Sequence, residues 1–390
     1  MRKRSLDDFH QTRRLPPYVF AQVAEMVKAA RAAGRDIIDL SMGSPDMQAA
    51  PQVIETLRER VYDEDASRYS DSRGILPLRQ ACADYYDQRF GVALNPDTQV
   101  VATLGSKNAF ANLAFAITAP GDLICCPNPS YPIHMFGFVM AGGSVRHLPA
   151  EPSEEVFRAA ERTIRFSVPK PIALILNYPS NPTTITAEIG FYEEAVRFAK
   201  KHDLFLLSDL AYAEVYEGTP PPSLLQVEGA MDISVEFTSA SKSFNMAGWR
   251  MGFAVGNEDL IAALTRVKSY LDYGSFGPIQ QACTVALQDW QSITDDVRAH
   301  YRSRRRALHK AAEEAGWHIP RSETTMFAWT PLPKGETDSL AFCRRMVAEA
   351  GVALSPGVGF GEGGEGHVRI ALVADEARLA EAAQRVGRAL

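Results

Sequence analysis

Hydrophobic and polar positions change period repeatedly along this chain, and each change marks an element. Ala21 to Ala33 predicts an alanine-rich helix stopped by Gly34, and Ile37 to Met42 a strand running into the turn Gly43-Ser44-Pro45-Asp46. Helical spacing over Pro51–Val61 and Leu76–Phe90 is followed by a strand at Gln99–Leu104 and an apolar helix opened by Gly105-Ser106-Lys107-Asn108 and running to Ile117. A strand at Asp122–Cys126 leads into a proline-rich turn, Pro127 to Pro132. Pro171–Leu176 is a continuous apolar run of the kind buried in parallel sheets, ending in Asn177 to Thr183. A helix at Phe191–Lys201, a strand at Leu204–Ser208 ending on Asp209, and a helix at Glu258–Leu271 continue the alternation, which argues an α/β class. Trp290–Gly316 predicts one long amphipathic helix, and its Arg302, Arg304, Arg305 and Arg306 read as a solvated face. Strand-like Met326–Trp329, helix-like Leu340–Ala350 and strand-like Val368–Leu372 predict a smaller α+β unit.

Composition narrows the picture. With 390 residues, 46% of them hydrophobic, the chain can bury a large core, as one large or two ordinary domains. A net charge of −6 argues against a nucleic-acid surface, which needs a concentrated basic patch. No apolar run reaches the ~18 residues of a membrane span, and no h-region follows the basic Met1–Arg4, so neither membrane insertion nor a signal peptide is expected. Cys82, Cys125, Cys126, Cys283 and Cys343 are scattered and lack C-x-x-C spacing. That pattern fits buried free thiols in a cytoplasmic protein rather than a disulfide framework or a zinc site, and no metal is expected.

The candidate chemistry gathers at Phe237–Gly256, FTSASKSFNMAGWRMGFAVG. Ser239, Ser241, Lys242 and Ser243 form a hydroxyl-rich turn between two apolar runs, and Arg250 follows eight residues after the lysine. An amine nucleophile among hydroxyls and a guanidinium suits a phosphate-bearing aldehyde: the lysine forms a Schiff base while the donors hold the phosphate. A second anion site is the strand–Gly105-Ser106-Lys107–helix junction, where free N–H groups and the positive helix end face outward; it lacks Walker spacing. Asp209, at the end of a buried strand, needs a partner or caps a helix. Arg369, on the otherwise apolar strand HVRIALV, is costly unless it binds something. Gly359 to Gly364 satisfies G-x-G-x-x-G, but a strand follows it rather than a helix; it reads as a flexible loop, not a dinucleotide site.

These residues resemble the lysine motif of the class I/II aminotransferases, fold-type-I enzymes that use pyridoxal 5′-phosphate (PLP). The resemblance extends through LPPY, SMGSPD, PNPSYPIH, DLAYAEV, SKSFNMAGWR and SPGVGFG…HVRIAL, and is greatest toward bacterial glutamate–pyruvate (alanine) transaminases. It implies a large PLP-binding domain with a mostly parallel sheet over residues 48–285. A small α+β domain would combine 15–47 with 286–390, and residues 1–14 would form an arm. Lys242 would hold PLP and act as general acid/base, Asp209 would pair with the pyridine nitrogen, and Tyr212 would bond the ring oxygen. Tyr131 would stack on the ring, and Gly105, Ser106, Lys107 (through its backbone N–H), Ser239, Ser241 and Arg250 would surround the phosphate. Tyr69 would reach the phosphate of the partner in a homodimer with interfacial active sites. Gly43, Asn181 and Arg369 would meet the substrate carboxylate. The family motif after Asn181 continues with glycine, where this chain has Thr184. The segment Tyr270–Pro278 lacks the arginine of relatives specialised for dicarboxylic acids. The implied reaction moves an amino group from L-alanine, or a similar small neutral amino acid, to 2-oxoglutarate. LL-diaminopimelate, methionine and aromatic aminotransferases, and PLP C–S lyases or synthases, share much of this vocabulary.

Overall fold

The computed structural model describes residues 5–390. Its strands are β1 Ile38–Asp39, β2 Val100–Thr103, β3 Leu123–Asn128, β4 Ser144–Pro149, β5 Pro171–Asn177, β6 Phe205–Asp209, β7 Ser234–Ser239, β8 Gly252–Gly256, β9 Phe327–Pro331, β10 Val352–Ala353, β11 Ser355–Pro356 and β12 His367–Ala371. Seven of them form one sheet in the order β2-β8-β7-β6-β5-β3-β4. Only β8 runs antiparallel to its neighbours, so the sheet is mostly parallel, as expected. Leu174, Leu176 and Leu206 pack on one face and Ala173, Ile175 and Leu207 on the other, which is why these strands read as continuous apolar runs.

Register fixes where the chemistry collects. Asn177 pairs with Asp209, and Asp209 with Phe237, so β5, β6 and β7 end level with one another. The C-terminal edge of a parallel sheet is where its loops leave room for ligands. A second core surrounds the antiparallel sheet β11-β12-β9 together with the helices Trp290–Glu314 and Glu376–Ala389. The segment from β1 to Asp46 runs along this core: β1 pairs with β10, and Ala371 donates to the carbonyl of Leu40.

Three expectations change. The long helix is not solvated along its arginines. Arg304 and Arg305 share a buried face with Tyr301, Leu308 and Ala311, whereas Arg306 points outward. Arg304 grips the Asp46 carboxylate at 2.6 and 2.7 Å and the carbonyl of Leu372, and Arg305 donates to the carbonyl of Thr325. Second, Gly357–Gly364 is no loose loop. It winds through two 3-10 turns packed so closely that a Cβ on Gly363 would sit 2.7 Å from the carbonyl of Asn128. Third, the β1 strand is only two residues long. Of the proposed arm, residues 1–4 lie outside the described residues, and Arg14 donates to the carbonyl of Gly143 at 3.0 Å. No helix among the described residues is long and apolar enough to cross a membrane.

Candidate active site

A cavity of about 180 Å³ opens at the C-terminal edge of β5–β7 and is closed from above by the β1–Asp46 segment, β9 and β12. Twelve of the fourteen residues proposed from sequence line it. Ser106, Lys107, Ser239, Ser241 and Arg250 stand at one end, Gly43, Asn181 and Arg369 at the other, and Tyr131, Asp209, Tyr212 and Lys242 between them. The other two are Gly105 and Tyr69. Gly105 forms the floor behind Ser106, at φ +91°, and a Cβ there would collide with the Arg250 guanidinium. Tyr69 stands apart from the cavity, 85% exposed, with its ring 4.7 Å from that of Tyr273.

At the first end, the helix Ser106–Ile117 begins without a side-chain cap, leaving its leading N–H groups and dipole directed at the cavity. β8 presses against this turn: a Cβ on Gly252 would lie 2.6 Å from the Ser106 nitrogen. The Ser239 hydroxyl caps the short helix Ala240–Ser243 by accepting from the Ser241 N–H at 3.2 Å. Arg250 adopts left-handed backbone (φ +57°), which swings its guanidinium back to the carbonyls of Ala247 and Leu104 at 2.7 and 3.1 Å. Lys107, expected to contribute only its backbone N–H, also turns its ammonium toward the cavity rim, 5.8 Å from the Tyr18 ring and 5.9 Å from the Tyr131 ring.

Lys242 donates to the carbonyl of Gly43 at 2.5 Å. Burial among protein atoms, with Arg369 and Arg250 adding repulsion, drives its amine down from 10.5 to about 7, so a large neutral fraction exists at neutrality. Asp209 does not cap a helix. One carboxylate oxygen accepts from the Ala211 N–H in the turn that follows, and the other meets His134 Nε2 at 2.8 Å.

His134 carries no proposed role in the sequence reading, and it is fully buried. The Asn177 amide donates to Ser130 Oγ at 3.4 Å and to the carbonyl of Asn181 at 3.1 Å. The Ser130 hydroxyl hydrogen is therefore free to point at His134 Nδ1, 2.7 Å away, which leaves Nε2–H to donate to Asp209. The signal was present in PNPSYPIH: a lone imidazole opening the otherwise apolar helix Pro132–Met140.

Arg369 is 4% exposed, and no ion pair to a carboxylate forms among the described residues. Its terminal nitrogens donate to Asn181 Oδ1 at 2.8 Å, the carbonyl of Ser41 at 3.0 Å and Ser355 Oγ at 3.1 Å, while Nε has no partner. The guanidinium lies 4.1 Å from the Phe327 centroid and 4.7 Å from that of Phe360, and burial lowers its pKa to about 10. Tyr18, Phe20, Met42 and Phe327 complete the wall nearby; Tyr18 and Met42 fall within the LPPY and SMGSPD motifs, but none of the four carried a site role from sequence. Burial raises the Tyr131 hydroxyl to about 12 and raises that of Tyr212 further, so both remain protonated donors.

The chain matches the family described as aminotransferase class I and II over residues 35–386. AatC of Rhizobium meliloti (strain 1021), provisionally named an aminotransferase, is 56% identical over 99% of this chain and 96% of its own. The glutamate-pyruvate aminotransferase AlaC of Escherichia coli (strain K12) is 45% identical over 96% of this chain and 92% of its own. The LL-diaminopimelate aminotransferase of Aquifex aeolicus (strain VF5) is 40% identical over 95% and 96%. Among solved structures, a Thermus thermophilus aspartate aminotransferase variant matches at TM-score 0.90 and 28% identity, covering 100% of both chains.

Proposed function

The chain belongs to the class I and II aminotransferases, fold-type-I enzymes that use PLP, and on that premise we propose that it moves an amino group between L-alanine, or a similar small neutral amino acid, and 2-oxoglutarate. The observation that carries this choice is the wall around Arg369. Tyr18, Phe20, Met42 and Phe327 narrow the cavity with largely apolar surface, and Arg369 is the one buried guanidinium among the described residues lining it. One buried cation holds the α-carboxylate that alanine and 2-oxoglutarate share, and the rings beside it favour a short neutral side chain on the amino donor.

The donor set fits PLP. Lys242 is a partly neutral amine, Asp209 is a carboxylate already oriented by His134, and the Ser106–Gly252 contact leaves a cradle of N–H groups with no room for a further Cβ. Ser106, Lys107, Ser239, Ser241 and Arg250 would hold the phosphate, Tyr131 would cover the ring face, and Asp209 and Tyr212 would meet its nitrogen and oxygen. When bound, PLP supplies an electron sink for charge developing at the substrate α-carbon. Arg369 and Asn181 pin the substrate carboxylate, which orients the α-hydrogen toward Lys242. With PLP bound, Lys242 Nζ, poised near neutrality, would be the base that takes that proton and the acid that gives it back. Asp209, with the His134 N–H at its far oxygen, would hold a proton on the ring nitrogen of the bound cofactor.

The same proposal divides the chain into a large domain (48–285) and a small one (15–47 with 286–390), with the cavity between them. It also pairs two copies. Tyr69, Tyr270, Leu271 and Tyr273, each at least 62% exposed, form an apolar surface for a second subunit, from which Tyr69 would reach the neighbouring phosphate. Five buried, unpaired cysteines support a reducing, cytoplasmic setting.

The test is the visible spectrum of the PLP-loaded protein before and after L-alanine, with no oxo acid present. Conversion of the cofactor to its amine form with about one pyruvate per site supports the proposal. A spectrum indifferent to alanine but converted by LL-diaminopimelate, methionine or phenylalanine overturns the substrate choice. Pyruvate and ammonia released from cysteine without an acceptor would indicate a C–S lyase instead.

A further inference from the structure

Behind the cavity lies a buried ion cluster that the reaction does not use directly. Glu214 is fully buried, and its carboxylate accepts from Tyr85 OH at 2.7 Å, Arg89 Nε at 2.9 Å and Arg298 Nη1 at 2.9 Å. Tyr85 and Arg89 belong to the helix Leu76–Phe90, and Arg298 to the long helix Trp290–Glu314. Arg89 also reaches the carbonyl of Pro221, and Arg298 lies 4.8 Å over the Tyr216 ring. One carboxylate thus ties two helices to the turn that follows β6.

That turn also carries the cavity residues. Leu210 remains bonded to the carbonyl of Phe237, Ala211 N–H reaches Asp209, and Val215 N–H closes on the carbonyl of Tyr212 at 3.1 Å. Tyr212 lines the cavity with its ring 5.5 Å from Phe327, while Glu214, two residues on, is held in the ion cluster. Beyond it, Thr325 N–H donates to the carbonyl of Val215. A turn with one active-site side chain and one clamped carboxylate cannot shift at the second without shifting at the first.

We propose that Glu214, clamped by Arg89, Arg298 and Tyr85, is a positioning residue that sets the Tyr212 hydroxyl within the cavity. This rests on the proposed role of Tyr212 at the cofactor's ring oxygen. Donation to that oxygen alters the proton affinity of the Lys242-linked cofactor, so misplacing Tyr212 moves the pH midpoint of the visible band, a quantity that a loss of global stability alone leaves in place.

The experiment titrates the visible band of the PLP-loaded protein for wild type, Tyr212→Phe, Tyr85→Phe, Glu214→Gln and the double variant Tyr212→Phe/Tyr85→Phe, with thermal melting run in parallel. Tyr85→Phe keeps the packing and removes one donor, so it carries the test if Glu214→Gln fails to fold. The expected result is a midpoint shift of about 0.3 pH unit or more in Tyr85→Phe, in the direction of Tyr212→Phe, with no further shift in the double variant. If Tyr212→Phe moves the midpoint while Tyr85→Phe and Glu214→Gln only lower the melting temperature, the cluster is structural and the positioning role is overturned. If Tyr212→Phe itself leaves the midpoint in place, the role proposed for Tyr212 fails, and the positioning role falls with it.

Discussion

Replacing Lys242 by methionine is expected to stabilise the cofactor-free protein, although it removes the central amine. In the folded chain this amine titrates near 7 rather than 10.5, because burial and two arginines oppose its charge. A basic group whose folded pKa is depressed binds fewer protons in the native state than in the unfolded one, so stability rises with pH between the two values. The cost is largest at and below about pH 7 and fades toward 10.5. From those two pKa values the penalty is ~4 kcal/mol at pH 7 and ~1.4 kcal/mol at pH 9.5, order-of-magnitude figures that the hydrogen bond to Gly43 and cavity water reduce. Methionine fills a similar volume without the charge. Denaturant midpoints of the PLP-free wild type and Lys242→Met at pH 7 and pH 9.5 are the assay. The variant should be the more stable at pH 7, by roughly 1–3 kcal/mol, and the gap should narrow at pH 9.5. A gap that is absent at pH 7, or that grows with pH, refutes the argument that the site holds its lysine at a cost to the fold.

Arg369→Lys keeps one charge but loses the planar fork stacked on Phe327; kcat/KM should fall by about 10²–10³, with a raised KM, in steady-state assays with any accepted amino acid. Asp46→Ala strips Arg304, 3% exposed, of its carboxylate, and should lower stability by about 2–4 kcal/mol in urea melts, more than alanine at an exposed acid such as Glu154. Thr184→Gly relieves a β-branched residue at φ +63°, held by the Thr324 hydroxyl on its carbonyl; stability should rise or stay level, within about 1 kcal/mol, and a clear loss would mean that the threonine side chain outweighs the strain.

How much of this was legible followed from how local each cause is. The run Pro171–Leu176 and the acid at the end of β6 are local facts, and both fell where a parallel sheet places them. Arg369 was legible because a guanidinium on an apolar strand has no cheap place to be. The strand β4 went unseen because it is an edge strand whose Arg146 and His147 face solvent, so its sequence lacks an apolar run. Arg304 and Arg305 were misplaced for a different reason. A charge count cannot distinguish a solvated face from one whose partners, Asp46 and the carbonyl of Thr325, lie far away in sequence, although the spacing of Tyr301, Arg304, Arg305 and Leu308 marked one buried stripe. His134 and Glu214 needed three dimensions, since each acquires meaning from groups 75 and 129 residues distant.

The two phenylalanine rings beside Arg369 bear on handedness. Phe327 and Phe360 lie against the guanidinium, and the bonds to Asn181, Ser41 and Ser355 tether its terminal nitrogens. A carboxylate docked on so fixed a fork leaves its α-carbon a single remaining rotation, about the bond to the carboxyl carbon. Holding the amino group near Lys242 would remove that rotation as well. With two of the four substituents located, the hydrogen and the side chain could only exchange places, and the arrangement with the hydrogen toward Lys242 would leave the side chain to the rest of the wall, which includes Tyr18 and Phe20. Under the role proposed for Arg369, mirror-image substrates would present a side chain where a proton must leave, and the fixed arginine would set the handedness of the reaction.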